Sequence, residues 1–440
     1  SSGSGRYSGF RPPEDSLGRI LGNIDKTESS CLFTGMKVLI STATALLCIS
    51  LPLHAQNAVK DAPATDKAQL NAAQDLEQQY AAALKKAGNN AKELKKAMKL
   101  VPVDQRKGMK FLIAYMPDKD LKTLKADFLV ENAKWAYKAR RTFAWAKDVP
   151  EEIFFNDVLP YASLNERRDD WRKDFYDRFS KHVKNAETME EAITLLNAAI
   201  KEEVKVIYST KRKKADQSPY ESMDQGLASC SGLSILLTDA FRSVGIPSRV
   251  AGIPMWTTKR GNHNWVEVYT TSDKQWHFTE YYPDSKGLDH GWLLADAAQA
   301  NPKSLYHSIY ASSWKPADSH FPLVWNMRTK EVHAYNVTQR YIKLGGGDKK
   351  GAENMCEIRV DFYDGNKRAA IPVAIVQGDT KIAEGLTPKA TDDMNNFFTA
   401  KVKQGQIYQI AWKLPNETKW RSKQVQPTKK DKWLKETIKK

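Results

Sequence analysis

The chain has little cysteine: four residues in 440, at positions 31, 48, 230 and 356. No two form a Cys-x-x-Cys pair, which excludes zinc-ribbon and thioredoxin-type redox sites. Histidine is also sparse, at eight residues. None of them share the i, i+4 helical spacing that a zinc hydrolase uses, so no metal and no cofactor is expected. A Gly-rich phosphate loop is missing, and so is any nucleic-acid module. The chain nevertheless carries 68 Lys and Arg against 52 Asp and Glu, a net charge of +16. The plain reading of that excess is a solvated lysine-rich surface. It would also favour anionic partners such as cell-envelope polymers, and no nucleic-acid partner is expected. Finally, no apolar run reaches the roughly 20 residues of a membrane span.

The run that comes nearest is Val38 to Leu53, after Met36-Lys37 and before His54-Ala55. One positive residue, a short apolar core and a terminal Ala read as a secretory signal peptide over 36–55, cleaved after Ala55. The protein is then expected to be exported, periplasmic or extracellular, with no stable membrane span after cleavage. Residues 1–35 are Gly- and Ser-rich, lack apolar periodicity and are set outside the fold. Export leaves Cys230 and Cys356. They fall in different expected domains, so no disulfide is expected between them even in an oxidising compartment.

Residues 56–185 are rich in Ala, Lys, Leu and Glu and read as a helical region. A long helix is expected from Phe128 to Lys147, with Trp135, Ala136, Ala139, Phe143 and Ala144 on one face. Residues 158–166 are read as part of this supporting helical layer, and Glu166, Arg167, Arg168 and Asp169 as structural ion pairs.

The organising stretch is Ser229-Cys230-Ser231-Gly232. Apolar residues follow at 233, 236, 237, 240, 241 and 244, a helical period, and Gly245-Ile246-Pro247 is a stop. Cys230 is thus expected at a helix N-terminus, where unpaired N–H groups and the helix dipole activate a cysteine nucleophile. Asn262 to Tyr269 has strand propensity, Thr271–Lys274 is a polar turn, and Trp276 to Tyr281 is a second strand. Folding this hairpin brings His263 near Glu280. A thiol on a helix start, an imidazole and a carboxylate form the set of nucleophile, base and orienting acid. Alternation puts His263, Trp265, Glu267 and Tyr269 on one face, so Trp265 is expected to line the site beside the imidazole.

These residues, with Gly-Ile-Pro-Ser-Arg-Val and His-Asn-Trp-Val-Glu-Val-Tyr, resemble the transglutaminase-like core of the papain-like cysteine superfamily. The likeness runs from about Ile200 to about Asp284. It implies Cys230 as nucleophile, His263 as base and Glu280 as the third member. Asp is usual at the third place, and Asp284 is the alternative acid. Papain-like enzymes often use an upstream glutamine as an oxyanion donor, which makes Gln225 the candidate here. Calcium-dependent crosslinking members carry Gln-Cys-Trp. Ser229 and Ser231 flank Cys230 instead, so hydrolysis is expected over crosslinking.

The core is bounded at 186–334, with 301–334 read as irregular cover. Residues 335–350 are read as a strand over 335–344 with a Gly345-Gly346-Gly347 linker. Short alternating strands over 351–428, with a turn at Asp364-Gly365-Asn366, read as a β-sandwich. The lysine-rich 429–440 is a basic tail, read as a solvated helix end. The fold class is α+β: a helical N-terminal region, a core of one helix packed on an antiparallel sheet, and a C-terminal β-sandwich. Two functions follow. One is a cysteine hydrolase or acyltransferase acting on a peptide or protein substrate, with cell-envelope material as one source. The other is a binding or scaffold protein that keeps the fold without turnover.

Overall fold

The computed structural model describes residues 64–258, 261–346, 354–415, 417–431 and 433–440, and only the backbone of 64–71 and 433. The expected upstream and signal segments, 1–35 and 36–55, lie outside the described residues. No helix among the described residues is long and apolar enough to cross a membrane.

The helical region comprises α1 (Ala64–Ala87), α2 (Ala91–Leu100), α3 (Arg106–Tyr115), α4 (Asp118–Thr123), α5 (Ala126–Thr142), α6 (Ala144–Lys147) and α7 (Glu151–Asp157). The long helix expected over 128–147 is therefore broken. Phe143 takes extended backbone, φ −91° and ψ 135°, between α5 and α6. Its ring stacks on Trp145 at 4.9 Å. Trp135, Ala136 and Ala139 are buried as their spacing requires.

Residues 158–170 also depart from expectation: they form neither helix nor strand. Two buried arginines explain why. Arg172, at the start of α8 (Arg172–Val183), donates from Nη2 to the carbonyls of Val158, Leu159 and Pro160. Arg242 donates from Nη1 to those of Pro160 and Ala162. A helix would have used these carbonyls internally. Held open, they solvate two guanidinium groups that are at most 2% exposed.

The core continues with α9 (Met189–Val204), α10 (Pro219–Gln225) and α11 (Cys230–Ser243). The short strands β1 (Ile207–Tyr208) and β2 (Leu227–Ala228) pair in parallel just before α11. Then follow β3 (Ser248–Ile253), β4 (His263–Thr270), β5 (Gln275–Thr279), β6 (Tyr310–Ser313), β7 (Ser319–His320) and β8 (His333–Asn336). They form one sheet in the order β5-β4-β3-β6-β8-β7, every adjacent pair antiparallel. The region read as irregular cover thus supplies β6, β7 and the start of β8. Strands of two to four residues are too short to show alternation.

The expected strand over 335–344 is strand only to Asn336. Asn336 Oδ1 accepts from the Thr338 N–H and hydroxyl, and α13 (Thr338–Gly346) begins there. Tyr341 is fully buried. Gly345 belongs to this helix rather than to a linker. A Cβ on it would collide with Leu294 O of α12 (Leu294–Ala297), so the residue marks a close helix approach.

The C-terminal sandwich has two sheets. One joins β9 (Met355–Asp364), β10 (Lys367–Arg368), β13 (Phe398–Lys403) and β16 (Trp433–Lys439); the other has the order β12 (Thr380–Leu386), β11 (Pro372–Gln377), β14 (Tyr408–Trp412), β15 (Arg421–Val425). Ile358, Val360, Phe362, Ile375 and Ile410 fill the space between them. The basic tail is β16, not a helix end. It pairs parallel to β9 with Leu434 opposite Ile358 and Ile438 opposite Phe362. Leu434 and Ile438 join the sandwich core while Lys435 and Lys439 are exposed.

Candidate functional site

Ser229 starts α11. Its Oγ accepts the Gly232 N–H at 3.1 Å and donates to Ala215 O at 2.6 Å. Cys230 is therefore the first helical residue, in the turn whose N–H groups have no helical acceptor. It is partly exposed, while Ser231 to Ser243 behind it are all buried. Gly245, at φ +78°, ends the helix, and Ile246 N–H donates back to Phe241 O.

β4 lies beside α11 and alternates as expected. Val266 and Val268 join Leu236, Leu237 and Ala240 in one apolar cluster. Asn264, on the same face, donates from Nδ2 to Ser231 Oγ at 2.8 Å. It reaches there across Gly252 of β3, where a Cβ would clash with the Asn264 amide. The opposite face carries His263, Trp265 and Glu267.

His263 is 6% exposed. Its Nε2 lies 2.6 Å from Glu280 Oε1. Nδ1 has no hydrogen-bond partner of regular geometry among the described residues, but the Cys230 thiol is close enough to interact with the ring. Burial drives this imidazole toward its neutral form. The hydrogen bonds to Cys230 and Glu280 and the Glu280 charge outweigh burial and push its pKa up to about 10. Glu280 follows the last residue of β5. Its carbonyl accepts from Asn197 Nδ2 at 3.1 Å, and Asn197 Oδ1 accepts from Thr279 Oγ1 at 3.1 Å. One amide of α9 thus fixes the backbone that presents the carboxylate.

Asp284 is not brought to the histidine. It is exposed, and its Oδ1 accepts the Lys286 N–H at 2.9 Å within its own turn. Gln225 also departs from expectation. Its Oε1 accepts the Lys213 N–H at 3.0 Å and its Nε2 faces Lys211 O, so the amide is engaged with the preceding loop. The cause is local: Gln225 ends α10 just before Gly226 turns the chain at φ +67°. Trp265 packs behind the imidazole, ring centres 5.8 Å apart, and is 1% exposed. Its Nε1 donates to Tyr341 OH, which donates to Glu267 Oε1. Trp292, 4.8 Å from the imidazole between ring centres, reaches the cavity wall.

That cavity is about 560 Å³ and is lined by Cys230, His263, Asn264, Glu280, Tyr208 and Trp292, together with residues of the sandwich. A second cavity of about 300 Å³ also reaches Cys230, with Arg212 and Asn262 on its wall. Burial first, then the charges of Asp393 and Cys230, raise the Tyr208 phenol above its ordinary range. Among the described residues no group of three His, Cys, Asp or Glu is arranged to hold a metal ion. Asn197, Tyr208 and the sandwich residues carried no signal in the sequence. Each is an isolated polar residue whose role depends on a partner far along the chain.

A helix headed by a cysteine thus packs beside an antiparallel sheet that carries histidine and then an acid. Residues 177–297 match the family model described as the Transglutaminase-like superfamily. Among solved structures, one similar chain is a candidate cysteine protease from Cytophaga hutchinsonii, at 15% identity and a TM-score of 0.26. The likeness covers 33% of this chain and 48% of that one, so the chain spans about half of that protein's length. Another is red sea bream transglutaminase, at 9% identity and a TM-score of 0.24, over 59% of this chain and 58% of that one. No curated protein is matched.

Proposed function

We propose that the protein is a cysteine-nucleophile amide hydrolase or acyltransferase, acting on peptide or glutamine-type amides and favouring water over an amine as acyl acceptor. One observation carries the reading. The His263 ring has Nε2 bound to a carboxylate and Nδ1 without a regular partner, with the Cys230 thiol beside it on a shared cavity wall.

With the shared proton held on His263, as its raised pKa favours, Cys230 Sγ attacks the amide carbon. The carbonyl π pair moves to oxygen, where N–H groups of the first turn of α11 receive it. One such donor lowers the barrier by about 3 kcal/mol. The C–N bond breaks, the imidazolium returns its proton to the leaving amine, and a thioester remains. Water then attacks the thioester while His263 Nδ1 takes its proton. The acid is released and Sγ leaves as the thiolate, with the shared proton kept on His263. Glu280 holds the ring through Nε2 and stabilises the imidazolium throughout.

Hydrolysis is favoured because the residues flanking the thiol are used within the fold. Ser229 Oγ bonds to Ala215 O, and Ser231 Oγ accepts from Asn264. Neither is the glutamine or tryptophan of the crosslinking pattern. The proposed setting is outside the cytoplasm, with export directed by 36–55 and cell-envelope peptides as one substrate source. The test is a panel of peptide amides incubated with and without a primary amine and read by mass spectrometry. Free acids in excess over amine conjugates, both lost in Cys230→Ala, are expected. If an amide-derived electrophile fails to label Cys230, the enzyme reading falls and a non-catalytic binding role replaces it.

A further inference from the structure

A third cavity, of about 1120 Å³, shares no lining residue with the two that reach Cys230. It lies where the helical region meets the sheet. Phe111 and Tyr115 of α3 and Asp157 of α7 line it together with Arg249 of β3, Trp276 of β5 and Tyr335 of β8. The wall is held in place from both sides. Asn156 of α7 accepts through Oδ1 from the Ser313 hydroxyl and from the Trp314 and Lys315 N–H groups, which fastens the end of β6 to the helix. The Arg249 guanidinium lies 3.7 Å from the ring centre of Trp276 and 5.4 Å from that of Tyr335. Its Nε and Nη2 both bind Glu267 Oε2, at 2.8 and 2.7 Å.

Two polar groups of this wall are left unsatisfied. Arg249 is 6% exposed, and its Nη1 has no hydrogen-bond acceptor among the described residues. Asp157 is 1% exposed. Its Oδ2 accepts from Asn156 Nδ2 at 3.2 Å, and its buried Oδ1 has no partner among the described residues. Asp157 feels the Arg249 charge, yet no ion pair joins the two. Burial outweighs that charge and pushes the Asp157 carboxyl up to about 6, as for a group without full compensation. A buried donor and a buried acceptor on one cavity wall, each with nothing to bind, are the kind of groups that fix a ligand. The charges around them cancel: Lys107, Arg249 and Lys315 stand against Glu151, Glu152 and Asp157, in a chain at +16. Lys107 and Glu151 already pair with each other.

These features select by charge and by geometry. An anion would meet the Asp157 carboxylate, and a cation the Arg249 guanidinium. A trans peptide amide points its N–H and C=O in opposite directions, so one amide cannot serve both groups. A hydroxyl both donates and accepts. Neighbouring hydroxyls of one sugar ring can therefore donate to Asp157 Oδ1 and accept from Arg249 Nη1. The C–H face of such a ring suits the negative ring faces of Tyr335, which is 36% exposed, and of the half-buried Tyr115. We propose that this cavity binds a neutral oligosaccharide, with Asp157 and Arg249 reading its hydroxyls and Tyr335 supporting a ring face. The inference stands apart from the enzyme reading, because no residue of the Cys230 site takes part.

The test is calorimetric titration of the whole chain with cellotetraose, maltotetraose and chitotetraose. Saturable binding of at least one is expected. Glutarate, cadaverine and N-acetyl-triglycine amide serve as anionic, cationic and amide controls, and should bind at least about tenfold more weakly. Asp157→Asn keeps an oxygen for Asn156 but replaces the other by a donor, and should raise Kd by at least about tenfold. Asp157 is buried, so Tyr335→Ala is made as well. It should raise Kd by about threefold to tenfold with Tm unchanged. Cys230→Ala should bind as the wild type does. The inference is overturned if none of the three sugars saturates, or if a control binds as well as the best sugar. It is also overturned by affinity that is unchanged in Tyr335→Ala or in a folded Asp157→Asn, and by loss of binding in Cys230→Ala, which would move the sugar to the other cavity. Acylation of Cys230 is read in a separate assay, so the enzyme reading and this one can fail independently.

Discussion

His263 Nε2 and Glu280 Oε1 meet at 2.6 Å across the open end of the β4–β5 hairpin. The last paired residues are Val266 and Thr279. Continuing that register puts Glu280 level with Trp265 and diagonal to His263, a separation that a long side chain spans on one face of a sheet. This is where the extra methylene of Glu over Asp is used. Asp284, beyond Pro283, is committed to its own turn. Glu280→Ala should therefore lower kcat/KM by about 10³–10⁴, the scale seen when the orienting acid of a comparable triad is lost. Asp284→Asn should stay within about threefold of wild type, since surface changes away from such features are small. The reverse ranking in measured rates would show that Asp284 holds the histidine during turnover.

The raised pKa of His263 makes a prediction about pH. The imidazole titrates near 6.5 in an unfolded chain and near about 10 in the fold. The folded state therefore keeps a proton that the unfolded state has lost. The stability this adds is fully present below about pH 6.5 and is lost as pH rises through about 10. The alkaline limb of kcat/KM should likewise fall near about 10. Removing the Glu280 charge removes a cause of the shift, so Glu280→Gln should move the alkaline limb to lower pH. Rate profiles and Tm measured from pH 6 to 10.5 on both proteins test this. An alkaline limb that stays in place in the variant would disconnect it from the His263–Glu280 pair.

The two thiols should differ in reactivity. Cys356, on β9, is 3% exposed, and its thiol is pushed up to about 11, first by burial and then by the charge of Asp431. At pH 7.5 roughly one such thiol in three thousand is ionised. Cys230 is partly exposed at its cavity wall. Iodoacetamide at about pH 7.5 should modify Cys230 first and leave Cys356 intact in the folded protein, read by peptide mass mapping. Equal modification of both would mean that the sandwich opens, or that the Cys230 cavity is closed to small reagents.

The parts of the site that were legible in the sequence share one property: each is local. The apolar period from Leu233 to Val244, the Ser229 cap and the β4–β5 turn are settled by residues within a few positions of each other. What was hidden depends on distant partners. Residues 158–170 stay open because Arg172 and Arg242 need their carbonyls. The lysine-rich end becomes β16 because β9 offers it an edge, and alternation with period two is faint when lysine fills the exposed positions. Residues 335–344 read as a strand, yet the segment from Thr338 is helical and buries Tyr341 against Trp265 and Glu267. The sandwich wall of the Cys230 cavity could not be foreseen, since nothing near Asp392 signals that it lines the same cavity as Cys230.

Asn197 provides the last test, of a residue that acts through another. It sits on α9, 7% exposed, and touches neither Cys230 nor the imidazole in any hydrogen bond among the described residues. Its two bonds hold the Glu280 carbonyl and the Thr279 hydroxyl at the end of β5. Asn197→Ala leaves both without that partner, which should destabilise the fold by about 1–3 kcal/mol. A structural role would stop there. A positioning role predicts more: with Glu280 free to drift, kcat should fall by about tenfold to a hundredfold while KM changes little. The alkaline limb should also move down, because a looser Glu280 supports the imidazolium less. Asn197→Asp separates the two bonds. It can still accept from Thr279 Oγ1 but cannot donate to Glu280 O when ionised. Its kcat should therefore drop like that of Asn197→Ala, with part of the stability retained. If Asn197→Ala lowers Tm but leaves kcat and the pH profile unchanged, the end of β5 is held by its own strand pairing, and Asn197 is only a packing residue of α9.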